Sequence, residues 1–178
     1  MNPEAKNLEP KNLEQLNRAS DDAAQHFFEQ ACCAPRWVAA MTAARPFADQ
    51  ASLLQTASEQ WQTMQEADWL AAFEGHPRIG DVESLDKRFA NTRATASHEQ
   101  SGVESASREV LEELLHLNQV YAERFGFIFI VFASGKSAAE MLQLLQQRID
   151  NERAQELRIA AAEQWKITAL RLQKQLEA

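Results

Sequence analysis

Apolar residues along this chain recur mostly at helical spacing. After the polar segment "MNPEAKNLEPK", residues 1–11, the trio Ser20, Asp21 and Asp22 predicts the cap of a first clear helix, with Phe27, Phe28, Ala31 and Cys32 on one face. Pro35 then sits at a first helical turn, where its missing N–H costs nothing, and opens "RWVAAMTAA" as far as Arg45-Pro46. Leu53, Leu54, Ala57, Trp61 and Met64 keep i, i+3/i+4 spacing within 47–73, with a break expected near Asp68 and a short helix "DWLAAF" running into Gly75-His76. Val110, Leu114, Leu117 and Tyr121 predict a long helix from about Ser107 to Arg124, ended by Gly126. Ser137 and Glu140 read as a capping box at the head of "EMLQLLQQRI", and a last helix follows Asp150-Asn151 to the end of the chain.

Two stretches depart from that rhythm. "FIFIVFA", residues 127–133, is a continuous apolar run of strand length without a second strand to pair with, which predicts a buried extended connector. Residues 78–104 carry charges, Ser/Thr and two glycines with few large apolar side chains, and predict turns and short helical pieces. A stretch of that kind inside a compact domain is more often functional than empty. The expected architecture is all-α: one compact helical domain over residues 12–178, about seven to nine helices with one buried extended segment, behind a flexible segment 1–11.

Composition supports helices, since glycine and proline number only five each in 178 residues. A net charge of −8 argues against a general nucleic-acid binder, which needs a basic face. The chain shows no apolar run of ~20 residues, no signal-peptide core and no peroxisomal C-terminal address, so the expectation is a cytoplasmic protein that does not enter a membrane. Cys32 and Cys33 are adjacent, lack any CxxC or Cys/His ligand spacing, and are expected as reduced structural thiols within a helix.

"ASGKS", residues 133–137, falls short of a phosphate-binding loop because Ile130 stands where the first glycine is required; it predicts a turn into a capped helix, with Lys136 in solvent. His26 and His116 have no ligand-type neighbour at i+4 and read as helix-surface or boundary residues. His76 is different. Pro77 restricts it to extended geometry, the residues before it are apolar, and "SHEQSG" follows some twenty residues later. An imidazole there is either a helix C-cap or an acid–base group. Glu99 beside Gln100 offers a carboxylate and an amide that could orient an imidazole and a polar heterocycle together. Arg171, between Leu170 and Leu172, would bind an anion in bidentate fashion if its face is buried.

"LNRAS", "PRWV", "ARPF", "GHPRIG", "EQSG", "LNQVYAERFGFIFIV", "NER" and "ITALRL" occur in one order along residues 16–175. On these motifs the sequence resembles the 2-oxo-4-hydroxy-4-carboxy-5-ureidoimidazoline (OHCU) decarboxylases of urate breakdown. The resemblance implies a helical, cofactor-free and metal-free homodimeric enzyme that turns OHCU into (S)-allantoin and CO₂. It puts His76 at the catalytic position with Glu99, and Pro77, Ala96, Ser97, His98, Gln100, Phe129, Ile130, Val131, Phe132, Ala133 and Arg171 around the substrate. Ile128 replaces the proline of the family's F-G-F-P-F, and the stretch between Pro77 and Glu99 is a few residues long. The competing expectation is a non-catalytic helical interaction protein, in which His76, Glu99 and Arg171 would be scattered rather than convergent. A metal-dependent hydrolase would need His76, His98 and Glu99 to share a site.

Overall fold

The structure, a computed structural model, describes residues 10–77 and 104–177, with the helix backbone alone at 104–107. The expectations for residues 1–9 and 78–103, and with them Ala96, Ser97, His98, Glu99 and Gln100, lie outside the described residues. Eight helices are present among those described: α1 Leu13–Arg18, α2 Asp21–Ala31, α3 Pro35–Ala43, α4 Gln50–Gln62, α5 Glu66–Glu74, α6 Glu104–Phe125, α7 Ala138–Arg148 and α8 Arg153–Glu177. No described residue is in a strand. No described helix is long and apolar enough to cross a membrane. The fold is all-α, as the periodicity predicts, and the chain divides into two compact units, Met1–His76 with Ala161–Ala178, and Pro77–Ala160.

The first unit is organised around aromatic side chains. Phe28 and Trp37 are fully buried, and the Phe28 ring meets those of Phe27, Trp37 and Phe47 edge-on at 5.4, 6.0 and 6.4 Å. Edge-to-face pairing suits the ring quadrupole, and each buried ring of this size contributes about 1.5–3 kcal/mol by leaving water. The indole N–H groups still need acceptors: Trp37 Nε1 donates to the Ala57 carbonyl at 3.1 Å and Trp61 Nε1 to the Ala161 carbonyl at 3.2 Å. Arg45 Nη1 closes the end of α1 by donating to the carbonyls of Leu16 and Ala19 at 3.0 and 2.8 Å.

Three boundaries differ from the sequence reading, each for a local reason. Helix α1, capped by the Asn12 side chain, precedes the first helix expected at Ser20 and is only six residues long. The break expected near Asp68 falls at 63–65, because Asp68 is the N3 residue of α5 and accepts from the Gln65 N–H. Helix α2 ends at Ala31, so Cys32 caps it in extended geometry and Cys33 lies beyond it: two residues ahead of a proline-led helix the chain has to unwind. The cysteines are therefore a helix end and a connector rather than helix interior.

In the second unit α6 packs on α7 through Leu111, Leu114, Met141 and Leu145, joined by Val131 of the connector. The buried row of α6 runs through Leu111, Leu114, Tyr121 and Phe125; Leu114 and Tyr121 are as expected, Leu117 is partly buried against the same cluster, and Leu111 rather than Val110 is the buried residue at its start. Gly126 ends α6 at φ +78°, a conformation open to glycine, and its N–H bonds the Ala122 carbonyl at 3.0 Å. Ser137 and Glu140 form the expected capping box of α7.

Candidate active site

Helix α5 delivers His76. It ends at Gly75, and the His76 N–H returns to the Phe73 carbonyl at 3.1 Å before Pro77 forbids another helical turn. The ring does not serve as a cap for its own helix through Nε2: that nitrogen lies 2.7 Å from Oε1 of Gln164, eighty-eight positions along the chain on α8. Gln164 is wholly buried, and its Nε2 donates to the hydroxyl of Thr168 at 3.2 Å, also wholly buried. The Thr168 hydroxyl also lies near enough to Cys32 to favour its thiolate form. Burial pushes the Cys32 thiol up from 9.0 to about 11, against the opposing pull of the Ala34 N–H and the Thr168 hydroxyl, so it stays protonated.

Arg171 follows Gln164 and Thr168 at i+7 and i+3, on the same face of α8. It is half-buried, donates from Nη1 to the Ala31 carbonyl at 3.3 Å, and its charge is felt at Cys32. The structure thus places His76 and Arg171 in one unit, linked through α8 and the end of α2. Glu99, the third group expected to converge with them, lies outside the described residues. His26 and His116 are exposed on helix surfaces, as expected.

Gly75, the residue before His76, sits against Cys33. A Cβ built there would lie 2.4 Å from Cys33 Sγ and 3.0 Å from Cys33 Cβ. Gly75→Ala should therefore cost about 1–3 kcal/mol through overpacking and shift the corner that carries His76. Adding Cys33→Gly to that variant should recover most of the loss; strictly additive effects of the two changes in thermal unfolding would show that the contact does not matter.

The second unit contains the connector 127–133. Phe127, Ile130 and Val131 are buried, while Phe129, Phe132 and Ala133 are partly so. Its conformation is held from outside. Arg148 Nη1 donates to the Ile130 carbonyl at 2.9 Å, and the guanidinium stacks 4.7 Å from the Phe129 ring centroid. Lys136 is half-buried rather than in solvent: its ammonium donates to the Phe132 carbonyl at 2.9 Å. Behind the connector, the fully buried Glu156 receives Arg148 at 2.8 and 2.5 Å, Asn151 at 2.8 Å, and the Tyr121 hydroxyl in a short hydrogen bond. Burial and the adjacent carboxylate keep the Tyr121 phenol protonated far above its ordinary range.

Sequence reasoning missed Gln164 and Thr168, and gave Tyr121, Arg148, Asn151 and Glu156 no role at the site. A signal existed for the first pair. Leu157, Ala160, Ala161 and Leu172 mark the buried stripe of α8, and Gln164 and Thr168 are polar residues on that stripe. Polar groups in such positions need partners and point to where the partners are.

What fold and site define is an all-helical protein with a histidine held at a proline-locked helix exit by a buried amide, and an extended connector pinned by a buried ion pair. The family model for OHCU decarboxylase matches residues 17–173, and the chain belongs to that family. It is 38% identical over 145 residues to the uric acid degradation bifunctional protein TTL of Arabidopsis thaliana, covering 80% of this chain and 44% of that protein. It is 30% identical over 139 residues to the 2-oxo-4-hydroxy-4-carboxy-5-ureidoimidazoline decarboxylase of Amia calva, covering 78% of this chain and 79% of that one. Among solved structures, an OHCU decarboxylase crystallised in the presence of (S)-allantoin superposes with a TM-score of 0.68 at 34% identity, covering 90% of this chain and all of that chain.

Proposed function

We propose that this chain is a carboxy-lyase that converts OHCU to (S)-allantoin and CO₂ with no cofactor, in the urate branch of purine breakdown. The family match over nearly the whole chain supports this, and the single structural observation that carries it is His76 Nε2 fixed 2.7 Å from a buried amide oxygen at the helix exit. An immobilised imidazole is suited to moving a proton, since its charge changes near neutral pH.

The chemistry asks little else of the protein. OHCU carries its carboxylate on a carbon next to a C=N bond, so the electron pair released with CO₂ moves into that imine. What remains is to hold the carboxylate out of the ring plane, stabilise developing charge and protonate one face. We assign His76 the acid–base role at the 4-hydroxyl and at the carbon that becomes the S centre. Glu99 orients that imidazole or binds ureido N–H groups. By motif matching, Pro77, Ala96, Ser97, His98 and Gln100 contact the heterocycle together with the backbone of Phe129, Ile130, Val131, Phe132 and Ala133, and Arg171 binds an anionic or carbonyl oxygen. The homodimer is carried over with the family, and the cytoplasmic location stands as the default that the sequence reading gave; light scattering on the purified protein tests the first.

Because OHCU also decays unaided to racemic allantoin, CO₂ release is a poor assay. Circular dichroism of the product, formed from freshly generated OHCU, decides the matter. A strong signal of one sign that depends on the protein is expected, and a racemic product at the uncatalysed rate overturns the reading.

A further inference from the structure

We propose that Gln164 is a positioning residue that decides which nitrogen of His76 exchanges the proton, an inference that rests on the acid–base reading of His76. An amide oxygen only accepts, so a ring nitrogen 2.7 Å from Gln164 Oε1 carries its hydrogen on Nε2. In the neutral ring the lone pair is then on Nδ1. In this orientation the other end of the amide is used as well: Gln164 Nε2 donates to the Thr168 hydroxyl at 3.2 Å, and both side chains are wholly buried.

This arrangement sets the proton's route. Nδ1 takes a proton from the substrate hydroxyl, the ring becomes an imidazolium, and Nδ1 gives that proton to the former imine carbon that bears the ureido group, while the imine nitrogen takes a proton from water. The Nε2–H bond to Gln164 stays intact throughout, and the ring ends as it began. The amide oxygen stabilises the imidazolium but is far too weak a base to capture its proton. The Gln164–Thr168 pair thus orients the imidazole without competing with the substrate. Cys32 nearby, protonated to about pH 11, adds no negative charge beside the pair near neutrality.

The test is a tautomer measurement on the full chain labelled with nitrogen-15 histidine, at a pH where the ring is neutral. The chain has four histidines, and His76→Asn assigns the signal. The wild type should show hydrogen on Nε2. The near-isosteric Gln164→Met should lose that preference and lower kcat for (S)-allantoin roughly 10- to 100-fold, as loss of a supporting hydrogen bond behind a working group commonly does, with KM changed little. Gln164→Glu still accepts from Nε2–H and should restore the tautomer together with part of kcat. Hydrogen on Nδ1 in the wild type overturns the inference, and so does Gln164→Met with an unchanged tautomer, whatever its activity. Turnover that survives in His76→Asn instead removes the acid–base reading, while the tautomer result still reports on Gln164.

Discussion

Replacing His76 with alanine or asparagine should abolish stereospecific allantoin formation while leaving the helices in place. A positioned acid–base group contributes about 10²–10⁴-fold, so kcat/KM for the S product should fall by that factor, equivalent to roughly 3–5 kcal/mol of barrier. The effect belongs to chemistry rather than folding. His76 is half-buried at a helix exit, and the main structural loss in the alanine variant is the partner of the buried Gln164 oxygen. That costs about 1–3 kcal/mol, which a thermal melt separates from the loss of rate. Asparagine is the sharper probe, because it keeps a polar side chain yet cannot carry a proton near neutral pH. Near-normal S-selective turnover in either variant removes His76 from the mechanism.

The largest expected effect on stability is at Glu156. Its carboxylate is wholly buried and accepts from Arg148, Asn151 and Tyr121. Glu156→Ala leaves the Arg148 guanidinium, itself mostly buried, without its counter-charge, and loss of one member of such a pair costs about 3–5 kcal/mol. The urea midpoint should drop accordingly. Removing both charges, as in Arg148→Met with Glu156→Leu, should cost less than Glu156→Ala alone, since no unpaired charge remains. A Glu156→Ala loss below about 1 kcal/mol would mean that water reaches the pair. The connector provides a second readout: once Arg148 is released, the Ile130 carbonyl loses its donor, and protection of neighbouring amides from hydrogen exchange should fall.

The helices were largely legible because the signals that make them are local. Ser20, Pro35, Gly126 and the Ser137–Glu140 box act within a turn or two of themselves, and each marks the boundary it was read to mark. The shortest helix, α1, was missed because six residues give apolar spacing no room to repeat. His76 was legible as a candidate through its proline and its apolar approach. Its partner was not, because nothing local connects position 76 with position 164; only a polar residue on the buried stripe of α8 hinted at one. The connector's support was hidden for the same reason. "NER" and "YAERF" were visible as words, but the closure of Tyr121, Asn151 and Arg148 on one carboxylate is tertiary.

Arg148 spends its guanidinium on three different things: two nitrogens on a carboxylate, the third on a main-chain oxygen, and its flat face on a phenyl ring. Lysine carries the same charge, but it has a single nitrogen and no plane. While Glu156 is in place, position 148 therefore takes neither a lone neutral residue nor the conservative swap without loss, and a sequence that keeps the positive charge there while losing the fork would let go of the connector.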